Sequence, residues 1–317
     1  MNDLDPLGGL LDGARARGAF ALRMVMAPPW SLRVLAESPL TLLVAVTGHA
    51  WVIPDTGDPV RLAPGDVALT RGPDHYRVAD DPGSPDDVVI HPGQQCRTPD
   101  GDCLAERMAL GVRTWGNDPD GSTLVLVGAY ESTGDLPGRL LRVLPSVLSL
   151  AKGEWDSPLV TLLWAEVARD QPGQAAVLDR LLDLLLIAVL RAWFSRQETA
   201  APGWWRSRAD PLVGRALKVM HEAPARPWTL ADLAREVGAS RAVLARRFQE
   251  VIGESPMAFL TEWRLALAAD LLCEPDATVG SVAARVGYST PYALSTAFKR
   301  VRGISPREHR ARTMAAG

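Results

Sequence analysis

The chain has 317 residues with 47% hydrophobic and 22% charged side chains, enough for two globular domains, each with its own core. Its longest apolar candidate, LLDLLLIAVLRAWF at 181–194, carries Asp183 and Arg191 and is flanked by Arg180 and Arg196, so a membrane span is not expected. The net charge of −3 is segregated: residues 1–210 hold 19 Lys and Arg against 27 Asp and Glu, while residues 211–317 hold 15 against 10. That is the pattern of a chain whose last third alone meets a polyanion.

The first stretch, MNDLDPLGGLLDGARARG, has acidic residues where a signal peptide would need a basic start, so the chain is expected to stay in the cytoplasm. Cys96, Cys103 and Cys273 are too few for a disulfide framework and fit a reducing compartment. From about 20 to 130, short β-branched or apolar runs alternate with Pro, Gly and Asp. TLLVAVTG (41–48), HAWVIP (49–54), DVALTRG (66–72), DVVIHPG (87–93) and STLVLVG (122–128) have strand length, with turns such as APGD (63–66) between them. Strands at this spacing predict a sandwich or small barrel.

After Pro137 the period changes. GRLLRVLPSVLSL (138–150), SPLVTLLWAEVARDQ (157–171) and GQAAVLDRLLDLLLIAVLRAWFSRQE (173–198) carry apolar residues three and four apart, which predicts helices. The last is apolar on more of its circumference than one contact face needs. Its surplus either meets a second subunit or is buried within its own domain. TAAPGWWRSRADP (199–211) reads as a linker, because Pro and Gly interrupt any periodicity.

The last third says one thing twice. TLADLAREVGAS (229–240) has a helix start at Thr229 with Asp232 three positions on, an apolar face of Leu230, Leu233, Ala234 and Val237, and a turn at Gly238. SRAVLARRFQEVIG (240–253) then begins a second helix with Ser240 as its cap. TVGSVAARVGYS (278–289) and TPYALSTAFKRVRG (290–303) repeat the unit. Ala234, Val237, Gly238 and Ser240 match Ala283, Val286, Gly287 and Ser289 at a separation of 49, and after one extra residue Phe248, Gly253 and Ser255-Pro256 match Phe298, Gly303 and Ser305-Pro306 at 50. Two helix-turn-helix units in register, in one basic segment, predict tandem contacts to double-stranded DNA. Between them SPMAFLTEWRLALAADLLCEP (255–275) predicts one helix whose stripe of Phe259, Trp263, Leu267 and Leu271 packs on both units. At about 1.5 Å per residue its eighteen or so residues span about 27 Å, comparable to the roughly 34 Å between successive major-groove faces.

On these residues, and on GYSTPYALSTAFKRVRGISPREHR (287–310) above all, the last third resembles the DNA-binding domain of the AraC/XylS family of transcription regulators. The resemblance implies an α+β, multidomain chain: a cupin-like β-barrel over 1–136, a helical dimerisation segment over 137–198, a linker over 199–211, and an all-α tandem helix-turn-helix domain over 212–317. It also implies a homodimer on promoter DNA, control by a small-molecule effector or by oxidation at the N-terminal domain, and RNA polymerase as a partner.

In the first unit Leu244 and Phe248 face the core and Arg241, Ala242, Ala245 and Arg246 the opposite side. Arg246 is the first choice for base reading, since a guanidinium binds guanine at two points, and the family's pattern places a base-contacting Arg there. Arg241 and Arg247 are phosphate candidates; for each of these arginines the alternative is a solvated surface charge. In the second unit Pro291, Tyr292, Ser295 and Thr296 are exposed, with Lys299 and Arg300 as phosphate contacts. Thr296 stands where many relatives carry Arg, which weakens base readout by that helix.

His49, His75 and His91 include no His-x-His pair, so a metal-dependent cupin activity is disfavoured and no cofactor is implied. HPGQQCRTPDGDC (91–103) is expected as a polar, irregular loop. It offers His91, Cys96 and Cys103 as redox or metal candidates, against the plainer reading of two unrelated thiols. A cupin metalloenzyme with a regulatory basic tail and an architectural DNA-binding protein are the competing readings.

Overall fold

A computed structural model describes residues 20–130, 141, 144–155, 157–196, 210–274 and 276–315, which form two compact units. The expected linker lies outside the described residues as far as 209.

The first unit is built from strands β1 (Phe20–Met26), β2 (Ser31–Val34), β3 (Leu40–Thr47), β4 (Ala50–Pro54), β5 (Val60–Leu62), β6 (Val67–Arg71), β7 (Tyr76–Ala79), β8 (Val88–His91), β9 (Gln95–Arg97), β10 (Ala109–Gly111), β11 (Thr114–Gly116), β12 (Thr123–Tyr130) and β13 (Val147–Leu150). They make two sheets, ordered β10-β11-β1-β12-β3-β6-β13 and β5-β4-β7-β2-β8-β9. Because side chains alternate between faces, every second residue turns inward, and Met24, Met26, Leu32, Leu43, Val52, Val78 and Val125 form the core. The five strands read from the sequence lie at β3, β4, β6, β8 and β12.

The helix expected over 138–150 is not continued through 147–150. Pro145 cannot sit inside a helix without losing a hydrogen bond, and beyond it VLSL buries Leu148 and Leu150 at every second position. It is the edge strand β13, antiparallel to β6 from Val147 opposite Thr70 to Leu150 opposite Val67.

Helices α1 (Leu159–Val167) and α2 (Gln174–Arg196) agree with the sequence. α2 buries Leu182, Leu185, Leu186, Val189, Leu190 and Phe194. The Tyr130 hydroxyl donates to the Leu182 carbonyl at 2.7 Å, and Gly128 leaves room for the Leu182 side chain, which a Cβ there would meet at 2.4 Å. This explains why β3 reads as an unbroken apolar run: it is buried from Leu40 to Ala45 on both its faces.

The second unit is helical: α3 (Pro211–Glu222), α4 (Leu230–Glu236), α5 (Arg241–Ile252), α6 (Pro256–Leu272), α7 (Val279–Arg285), α8 (Pro291–Arg302) and α9 (Pro306–Ala315). The Thr229–Asp232 capping box and the Ser240 cap form as read, the latter with Oγ accepting from the Val243 amide at 3.2 Å. In the second copy the cap of α8 is Thr290, with Pro291 in the first turn. The extra residue therefore falls in the turn after Gly287, ahead of the cap, and Ser240 corresponds to Thr290 rather than Ser289.

α6 serves both copies with two faces. Phe259, Leu260 and Trp263 join the core of the first, whereas Leu265, Ala268, Ala269 and Leu272 join that of the second. The expected stripe does reach both units: Phe259 and Trp263 lie in the first core, Leu267 packs against both cores and Leu271 against the second, although the two leucines are only partly buried.

Candidate nucleic-acid interface and sensor cavity

On α5 the core residues Leu244 and Phe248 are fully buried and Arg241, Ala242 and Arg246 are exposed, with Ala245 half-buried. Arg246 has 74% of its side chain exposed; its Nε lies 4.0 Å from Glu250 Oε1. The phosphate candidate Arg247, 51% exposed, is ion-paired within the unit. Its Nε donates to Asp210 Oδ2 at 2.5 Å and its Nη1 to Glu250 Oε2 at 3.1 Å. The Asp210 bond is the main cause that lifts the Arg247 guanidinium further above its usual range.

Asp210 lies in the stretch that reads as a linker in the sequence. It is the N-cap of α3, with Oδ1 accepting from the Leu212 and Val213 amides at 3.0 and 2.9 Å. Partial burial would raise its carboxyl, but the Val213 amide, Arg247 and the Leu212 amide together hold it below the ordinary carboxylate range. The available signal was Asp-Pro ahead of apolar residues at 212, 213, 216, 217 and 220, a cap followed by a helical face.

On α8 Leu294 and Phe298 are buried, and Pro291, Thr296, Lys299 and Arg300 are exposed. Tyr292 is 81% exposed. Ser295 is half-buried and its hydroxyl donates back to the Pro291 carbonyl at 2.8 Å, so it is turned along its own helix. The two copies are joined by a pinned loop. Arg264 of α6 donates to the carbonyls of Pro224 and Arg226, both at 2.7 Å, and Gly287 lies against the Ala225 backbone.

In the β unit, inward residues leave a cavity of about 280 Å³. Leu22 and Met24 of β1, Leu32 and Val34 of β2, Ile90 of β8 and Val127 of β12 give it aliphatic walls, with Trp115 at one side. The buried Tyr76 hydroxyl in its lining is pushed up by burial, an effect partly offset by hydrogen bonds with Thr70 and Thr41.

The stretch 91–103 is regular in part. β8 and β9 form a hairpin in which Ile90 pairs with Cys96 and His91 with Gln95, and Cys103 forms a bridge with Arg97. Alternation therefore points Cys96 inward, where it lines the cavity, and puts His91 and Cys103 on the other face. Burial, and then the neighbouring Cys103, push the Cys96 thiol up, which disfavours the reactive thiolate. Cys96 and Cys103 are neighbours, but among the described residues no group of three or more His, Cys, Asp or Glu could hold a metal ion.

A sheet-rich unit with an apolar pocket and a helical unit carrying paired helix-turn-helix copies define a two-domain DNA-binding regulator. Comparisons with known proteins agree. A cupin family model matches residues 5–195 and a helix-turn-helix domain model residues 233–312. A putative AraC-like transcription regulator of Streptomyces lividans is 33% identical over 316 residues, 97% of this chain and 98% of that one. Another from Streptomyces antibioticus is 31% identical over 320 residues, covering 98% and 100%. Among solved structures, the DNA-binding domain of AdpA in complex with a target DNA is 30% identical over 33% of this chain and 95% of that one, with a TM-score of 0.32. The chain belongs to the AraC-like transcription regulators, and it binds DNA.

Proposed function

We propose that this chain is a promoter-specific regulator that acts as a homodimer in the cytoplasm and answers to a small apolar effector held in the β unit. The observation that carries the effector is the cavity: about 280 Å³ with aliphatic walls, in a unit otherwise packed tightly enough to need a glycine beneath α2. The dimer follows from α2. Val177, Leu181, Leu184 and Ala188 recur at alternating four- and three-residue spacing on the side away from the core, and Val177 and Leu184 are 44% and 50% exposed. That seam is self-complementary in a second copy.

DNA is read by Arg246 at base edges, with Ala242 and Ala245 beside it, and is gripped by Arg241 of α5 and Lys299 and Arg300 of α8. Pro291, Tyr292, Ser295 and Thr296 supply the shallower contact of the second copy. RNA polymerase is the partner at the promoter, and no catalysis is required of any residue. The test is selection from a random duplex pool with full-length protein. Two short blocks about one helical turn apart are expected, and failure to enrich any motif would refute specific reading. Uncharged N-phenyl-1-naphthylamine should brighten on binding the cavity and lose that signal in Val127→Trp. Unchanged brightening in the variant would remove the cavity as the effector site.

A further inference from the structure

The two neighbouring arginines of α5 differ in what they can offer DNA. Arg246 projects from the face opposite Leu244 and Phe248, whereas Arg247, about 100° further round, meets the start of α3. Its partner is a fixed group: the Asp210 side chain is 9% exposed, with one carboxylate oxygen on two backbone amides and the other on Arg247. Glu250 then bridges Arg247 at 3.1 Å and Arg246 at 4.0 Å. Asp210, Arg247, Glu250 and Arg246 form one line of alternating charge from the cap of α3 to the outward face of α5.

Attraction to the phosphate backbone grows with the number of cations a protein brings to it and carries no sequence information. A cation neutralised from within its own domain adds nothing to that term. We infer that Asp210 is a positioning residue: by holding Arg247 against the start of α3 it withholds a phosphate-binding charge from the helix that faces DNA. This rests on the reading of α5 as the DNA-facing helix.

Asp210→Ser keeps a side-chain oxygen for the cap and leaves Arg247 only its exposed pair with Glu250. With full-length protein and a scrambled duplex, the variant should bind about threefold to tenfold more tightly at low salt, and its log–log salt slope should steepen by about 0.9. Arg247→Met alone should leave the slope at the wild-type value, and the double variant should return to it. An unchanged slope in Asp210→Ser would overturn the inference, as would weaker binding with a lowered thermal midpoint, which would mark Asp210 as serving the fold alone. A slope reduced by about 0.9 in Arg247→Met would also overturn it, because Arg247 would then already contact phosphate. None of these readouts needs a preferred site. Absence of any selected motif refutes promoter specificity and leaves this inference standing, whereas wild-type protein that binds no duplex sinks both.

Discussion

Gly238 and Gly287 occupy equivalent turns of the two helix-turn-helix copies, with φ of +72° and +80°, yet alanine should be received very differently at each. A left-handed backbone costs a residue with a Cβ about 1–2 kcal/mol. Gly238→Ala meets that cost alone, since no atom lies within 4 Å of the added Cβ. At Gly287 the same Cβ would stand 2.7 Å from the Ala225 carbonyl oxygen and 2.8 Å from its Cα. These are backbone atoms of a loop that Arg264 holds at both Pro224 and Arg226, so yielding means losing one hydrogen bond from a charged donor, about 1.5–3 kcal/mol. The expected losses are about 1–2 kcal/mol for Gly238→Ala and about 2.5–5 kcal/mol for Gly287→Ala. Urea unfolding of the full chain, followed by the far-ultraviolet helical signal, measures both. Equal losses would refute the reasoning, because the pinned loop is the only difference invoked.

Arg246→Ala should cost about 1–3 kcal/mol on the selected duplex and relax preference at one base pair; equal loss on selected and scrambled duplexes would make Arg246 a phosphate contact instead. Leu184→Glu, in the outward seam of α2, should convert dimer to monomer in sedimentation with the far-ultraviolet helical signal retained, and wild-type sedimentation would reject the seam. Asp210 has a lowered folded pKa, so its contribution is fully present above the unfolded value of 3.8 and is lost as pH falls through the folded one. Asp210→Asn should therefore lower the unfolding midpoint at pH 6 and converge on wild type in strong acid. A gap that persisted there would assign the loss to packing and not to charge.

Local rules carried far along this chain. Five strands, the two capped helix pairs, their glycine turns and the long helices after 157 were legible because each depends on period, caps or positive φ within a few residues. Arg246, opposite Leu244 and Phe248, followed from the helical repeat alone. Where two local rules competed, the tertiary structure chose. VLSL after Pro145 matches a helical stripe when read with its predecessor, but becomes a strand because β6 offers an open edge. Cys96 looked like part of a polar loop until pairing with Ile90 fixed which face it takes, for a shift of one residue would turn it outward. Asp210 and Arg247 are 37 residues apart, and Arg264 and Pro224 are 40 apart. Nothing local marks either pair. The sequence by itself determined which elements form and which helix faces stay outside; only the folded chain decided which charges are already spent on one another, where a cavity remains, and which of two like glycines has a neighbour. Those depend on distances between elements, which no periodicity along the chain encodes.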